Sequence, residues 1–89
     1  MARYSIRLKA SAAKEIERIE PNKIRAQVVA RIAGLAEYPR PPGCEKLSGK
    51  DDRFRVRQGA WRIVYSIVDQ DLVVFVVKVG HRSEVYRNL

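Results

Sequence analysis

The segment Phe54-Arg55-Val56-Arg57-Gln58-Gly59-Ala60-Trp61-Arg62-Ile63-Val64-Tyr65 constrains this chain more than any other. Phe54, Val56, Trp61 and Ile63 alternate with Arg55, Arg57 and Arg62 at the period of two that a strand imposes on its faces. Two such runs around a glycine predict a β-hairpin with one apolar face and one cationic face. Gln58-Gly59 is the expected two-residue turn, since Gly accepts positive φ. With that turn Arg57 pairs with Ala60, Val56 with Trp61, Arg55 with Arg62 and Phe54 with Ile63. Arginines facing each other across a ladder are destabilising by ~0.2–1 kcal/mol per pair. A sequence that keeps them has a use for them, and the natural use is an anion held between guanidinium forks. The plainer reading of the same alternation is a solvated face.

Around the hairpin the pattern is that of a single small domain, because 89 residues cannot bury two cores. Arg3 to Leu8 alternates weakly, with Tyr4, Ile6 and Leu8 on one side, and reads as a first strand. Ser11 is a candidate cap for a helix whose apolar stripe is Ala10, Ala13, Ile16 and Ile19. Pro21 suits the first turn of a second helix, which buries Ile24, Val28, Ile32 and Leu35 and ends before Pro39. A proline-rich loop follows, and Glu45-Lys46-Leu47 reads as a short edge strand. After the hairpin, Asp69-Gln70-Asp71 is a turn, and Leu72 to Val77 has the apolar run of a central strand. A three-residue turn there sets Lys78 opposite Arg62. Gly80-His81-Arg82 then returns to the start of the Arg62 strand. Ser83 to Arg87 reads as a short helical turn or tail. The fold class is α+β: a strand, a helical hairpin, then about four antiparallel strands, with the helices on one face and the arginines on the other.

Charge narrows the function classes. The net charge is +8, and Arg53 to Val68 holds four arginines and no acid. Such an excess points to nucleic acid, an anionic surface or an acidic protein partner. One cysteine, Cys44, excludes an internal disulfide, and no Cys/His spacing suggests a metal site. No signal-peptide h-region is visible, and the longest apolar run is too short to span a bilayer. A reducing cytoplasm without membrane contact is therefore the expected setting.

The residues that could carry chemistry are Arg55, Arg57, Arg62, His81, Arg82 and Tyr86. Around one cavity they would suit a phosphodiester, since guanidinium groups clamp phosphate oxygens and stabilise charge that grows on them. Arginine does not exchange protons readily, so proton transfer falls to Tyr86 or His81. Neighbouring cations would lower a tyrosine pKa from its usual ~10. An RNA 2′-hydroxyl beside the scissile phosphate would then be the nucleophile, with no metal or cofactor. A strand-end histidine is also commonly incidental, and Tyr86 could simply cover the core edge. Trp61 and Tyr65 share the apolar face and read as core.

Phe54-Arg55-Val56-Arg57, Trp61-Arg62-Ile63-Val64-Tyr65 and Gly80-His81-Arg82-Ser83-Glu84-Val85-Tyr86, with Lys46-Leu47 before them, resemble the RelE branch of the RelE/ParE toxin superfamily over nearly the whole chain. The resemblance implies a microbial RNase-like fold and a toxin of a type II toxin–antitoxin pair. It further implies a ribosome-dependent endoribonuclease that cuts mRNA in the A site of the 70S ribosome. There the 2′-hydroxyl attacks the adjacent phosphate and leaves a 2′,3′-cyclic phosphate. The implied partners are a cognate antitoxin, mRNA and ribosomal RNA, and operator DNA only through the antitoxin complex. By position, Arg55 and Arg57 match basic family sites often filled by lysine. Arg62 and Arg82 match phosphate-binding arginines, and Tyr86 matches a tyrosine that acts as base or orients the nucleotide. Arginine in place of lysine removes one proton carrier, which leaves a role open for His81. The tail after Arg87 is shorter than the C-terminal helix of some relatives. The second reading on the same fold is a ParE-like inhibitor that binds DNA gyrase and cuts nothing.

Overall fold

A helical hairpin lies across one face of a five-stranded mixed sheet, and the other face carries the arginines. The computed structural model describes residues 3–47 and 52–82. In chain order the elements are β1 (Ser5–Leu8), α1 (Ala10–Glu17), α2 (Asn22–Gly34), β2 (Glu45–Lys46), β3 (Arg53–Gln58), β4 (Trp61–Val68) and β5 (Val73–His81). The sheet order is β1-β5-β4-β3-β2. The four strands after the helices are antiparallel, as expected. β1 joins parallel to β5, with Ser5 opposite Val73 and Leu8 opposite Val76. Among the described residues no helix is long and apolar enough to cross a membrane.

The helices follow their apolar spacing with two corrections, both in α1. α1 starts directly after β1, because Lys9 is still tied to the sheet through its N–H to Val76 O at 2.9 Å. Lys9 is therefore the N-cap, and Ser11 falls inside the first turn rather than capping it. The buried stripe is Ala12, Ile16 and Ile19, while Ala10 is exposed. On α2 the expected face is the observed one, with Val28, Ile32 and Leu35 buried and Ile24 packed against them. These meet Phe54, Val56, Ile63, Tyr65, Val74, Val76 and Val79 from the sheet in one continuous core.

The hairpin register differs from the expected one. Gly59-Ala60 forms the turn, with Gly59 at φ 59° in its first position, so the glycine sits one place earlier in the turn than expected. Arg62 thus faces Arg57, not Arg55, and Gln58 faces Trp61. Moving the turn by one residue shifts every partner by two, so side chains keep their faces. Phe54, Val56, Ile63 and Tyr65 remain in the core and the arginines remain outside it.

Lys78 also moves. The connection takes four residues, 69–72, because β5 starts at Val73 rather than Leu72; with a further irregularity between Val64 and Tyr65 this brings Lys78 opposite Val64, and Gly80 opposite Arg62. The Lys78 ammonium is bonded by Glu15 of α1 instead of joining the arginines. The other Glu15 oxygen accepts the Val79 N–H at 3.0 Å, beyond the point where β1 ends. One carboxylate thus closes a stretch of open sheet edge.

The proline-rich loop is fastened from two directions. The Tyr65 hydroxyl donates to Pro39 O at 2.7 Å, and burial pushes that hydroxyl well above its ordinary pKa, so it stays a donor. Arg40 reaches Asp69 at 2.9 Å and lies 5.3 Å from the Phe54 ring centroid. Tyr4 donates to the same carboxylate at 2.6 Å. The hydrogen bonds from Arg40 and then Tyr4 hold the Asp69 carboxyl below the usual carboxylate range. A depressed folded pKa gives stability that is present above the unfolded pKa and lost as pH falls through the folded one. Asp69→Asn is therefore expected to lower the thermal midpoint at neutral pH. Its difference from the unsubstituted protein should shrink as pH falls below the usual carboxylate range. Melting curves against pH check this, and a difference that grows toward acid would contradict it.

Candidate functional site

The outer face of β3 and β4 gathers the sequence candidates. Arg53, Arg55 and Arg57 alternate along β3, and Arg62 stands opposite Arg57 on β4. Arg55, Arg57 and Arg62 line a concavity of about 110 Å³, together with Val56, Gly43 and Glu45. Its floor is the sheet, which fixes each guanidinium stem by backbone pairing rather than by loop geometry.

Arg62 is the anchor of this arrangement. Only 6% of it is exposed. Its guanidinium donates to Gly59 O at 3.0 Å and to Trp61 O at 3.1 Å, which binds it to its own hairpin. Carbonyl oxygens carry no formal charge, so these bonds orient the cation without neutralising it. Gly80, opposite Arg62, has no side chain to crowd it. The hairpin turn and β5 thus leave Arg62 charged, aimed and accessible from one side.

Arg55 is held differently. Its Nη2 donates to Glu45 Oε2 at 3.0 Å, and Glu45 is its register partner on β2. Glu45 is the residue that reading the sequence missed as part of the site. Its signal was weak: one acid in a two-residue strand, whose partner depends on a pairing across a loop.

The chain end of β5 returns to the hairpin as expected. The Arg82 N–H donates to Ala60 O at 2.8 Å, which brings Arg82 to the turn end of β4 with its side chain exposed. His81 is not with the arginines. It stands opposite Trp61, on the helix side of the sheet, with the two rings edge to face at 5.9 Å. It lines a separate groove with Glu20, Ile24 and Gln27. The alternation that sets Arg62 on one face sets Trp61 and His81 on the other. Tyr86 lies outside the described residues. Among the described residues no group of three His, Cys, Asp or Glu could hold a metal ion.

Chemically the arrangement suits an anion with several oxygens. Three guanidinium groups on a rigid sheet present more donors than a monodentate ligand can use. Preorganised donors of this kind favour a state in which charge increases.

The chain as a whole resembles known proteins. Residues 6–86 match the family described as the ParE toxin of type II toxin-antitoxin system, parDE. The mRNA interferase toxin RelE of Escherichia coli (strain K12) is 37% identical over 67 residues, covering 71% of this chain and 70% of that protein. The isolated E. coli RelE toxin superposes with a TM-score of 0.77 at 31% identity, over 96% of this chain and 93% of that one. The toxin–antitoxin complex RelBE2 from Mycobacterium tuberculosis holds a chain that superposes at 0.78, with 27% identity and coverage of 90% and 99%. A match over nearly the full chain, with the same helical hairpin and mixed sheet, makes this protein a RelE-type toxin of the RelE/ParE superfamily of type II toxin–antitoxin systems.

Proposed function

We propose that this toxin is an endoribonuclease that cuts mRNA on the ribosome, and that a cognate antitoxin neutralises it. The observation that carries the reading is the concavity lined by Arg55, Arg57 and Arg62, with Arg82 bonded through its N–H to Ala60 O at the turn end of β4. An RNA phosphodiester brings its own nucleophile, the neighbouring 2′-hydroxyl. The protein has then to hold the phosphate, stabilise the charge of the five-coordinate state and manage two protons. Arg62 and Arg82 clamp the phosphate oxygens, with Arg55 and Arg57 completing the positive wall. Tyr86 orients the nucleotide or moves a proton. No metal or other cofactor enters this scheme, because the guanidinium groups supply the charge stabilisation. The products are a 2′,3′-cyclic phosphate and a free 5′-hydroxyl.

The excess charge of +8 suits a cavity lined by ribosomal RNA, and it equally suits an acidic antitoxin segment laid over the arginine face. Solved relatives include a toxin–antitoxin complex, and the same kind of partner is proposed here, with operator DNA engaged only through that complex. The proposed setting is the cytoplasm, where ribosomes are found.

Expression of the toxin is expected to arrest growth, and Arg82→Ala and Tyr86→Phe each to relieve most of the arrest while the purified proteins remain folded. Full toxicity in both folded variants would end this mechanism. The second reading, ParE-like inhibition of DNA gyrase by binding alone, draws on the ParE description of the matched family. It predicts arrest without any new mRNA ends.

A further inference from the structure

We propose that the groove behind the arginine hairpin binds a nucleobase splayed out of the RNA, stacked on Trp61 and read by Glu20 and Gln27. The inference rests on the RNA-binding part of the nuclease reading and adds a base site to its phosphate site. The groove holds about 320 Å³, at the lower end of the roughly 300–1,000 Å³ of small-molecule sites. Its floor is a row across three strands: Gln58 of β3 faces Trp61 of β4, and Trp61 faces His81 of β5. Trp61 and His81 are half-buried and meet edge to face, an arrangement that leaves ring surface for a further flat group. Across from them, Ile24 and Gln27 share one face of α2, and Glu20 stands just before that helix. Glu20 and Gln27 are both exposed.

The chemistry of this lining selects a base and not a phosphate. Glu20 is anionic and repels phosphate, but it accepts from the amino N–H groups of adenine, cytosine or guanine. The Gln27 amide can donate to the ring nitrogen or carbonyl oxygen on the same edge of the base. Uracil has no amino group, and two carbonyl oxygens flank its one ring N–H, so a carboxylate suits it poorly. Aromatic rings combined with such polar groups are how unpaired RNA bases are held. Position ties the groove to the arginine concavity. Gly59, Ala60 and Trp61 line the groove, while Gly59 O and Trp61 O hold Arg62 on the other face and Ala60 O holds the Arg82 N–H. A strand with a phosphate at Arg62 has only to round the hairpin turn to set a base against Trp61.

Trp61 is the one tryptophan of the chain, so its emission reports on this groove. The test titrates the purified toxin with AMP, CMP, GMP and UMP, and with ribose 5-phosphate as a phosphate without a base. AMP, CMP and GMP should quench Trp61 saturably, UMP should bind more weakly, and ribose 5-phosphate should leave the emission unchanged. Glu20→Ala, at an exposed position, should weaken AMP, CMP and GMP by about tenfold or more, the loss of a hydrogen bond to a charged group, and UMP little. No saturable quenching, equal quenching by ribose 5-phosphate, or equal weakening of UMP would overturn the proposal. Single-turnover cleavage on programmed ribosomes then separates the sources of the base. With a message base in the groove, the Glu20→Ala loss is confined to messages that carry an amino-bearing base at one fixed distance from the cut. With a ribosomal RNA base, ribosome binding weakens alike for every codon. Unchanged cleavage and ribosome binding in Glu20→Ala would overturn the proposal. Failure of the unsubstituted toxin to cut any message would instead refute the nuclease reading.

Discussion

Arg62→Ala is expected to lower mRNA cleavage by about 10²–10³-fold, the loss found when one preorganised donor to a developing oxyanion is removed. The expectation comes from how Arg62 is held. It is 6% exposed, it is bonded to Gly59 O and Trp61 O, and it stands opposite Arg57. Its orientation is therefore set before substrate arrives, and binding orders no side chain there. Alanine removes the charge and its aim together. Gly59 is exposed, so water can replace the lost donor at the turn, and the thermal midpoint should move little. Arg62→Lys should fall between the two, since an ammonium keeps the charge but loses the fork. Cleavage rates and melting curves on the same preparations check this. A cleavage rate unchanged in folded Arg62→Ala would contradict it.

The neighbouring residue predicts the opposite signature. Ile63→Ala should destabilise the fold by about 2–5 kcal/mol, as large-to-small changes in a packed core do. Ile63 is fully buried, with Val56 on one side and Val79 on the other. Domains of this kind have only about 5–15 kcal/mol in all. The thermal midpoint should fall by roughly 10 °C or more, since each kcal/mol is worth about 4–8 °C in a domain this small. Cleavage measured well below the midpoint should survive, because the Ile63 side chain points away from the arginine face. Bound antitoxin should restore part of the lost midpoint, as any ligand of the folded state does. A midpoint within about 2 °C of the unsubstituted protein would show that the core is not where the structure puts it. One substitution removes activity and the other removes stability, one residue apart on a single strand.

That separation explains what could be read from the chain. Alternation assigns faces, and faces survive a shift of the turn by one residue, so the core and the arginine wall were both legible. Register was not, because it depends on whether Gly59 takes the first or second place of the turn. The same limit misplaced Lys78: neither the place of Leu72 in the turn nor the irregularity at Val64 and Tyr65 leaves a mark in the residue types. Nor does a short strand announce its partner, which is why the parallel pairing of β1 and the meeting of Glu45 with Arg55 emerge only in three dimensions. His81 was grouped with the arginines by closeness along the chain, and its pairing with Trp61 separates it from them. Ser11 had the chemistry of a cap, but the sheet bond of Lys9 decided where the helix begins.

The central claim is that the arginine face cuts RNA held in a ribosome. Primer extension on a reporter mRNA in a reconstituted translation reaction tests it directly, with and without ribosomes, using the toxin and Arg82→Ala. The account predicts new ends within A-site codons that require both the ribosome and Arg82. Growth arrest on expression with no new mRNA ends in that reaction would contradict it and move the toxin to inhibition by binding alone.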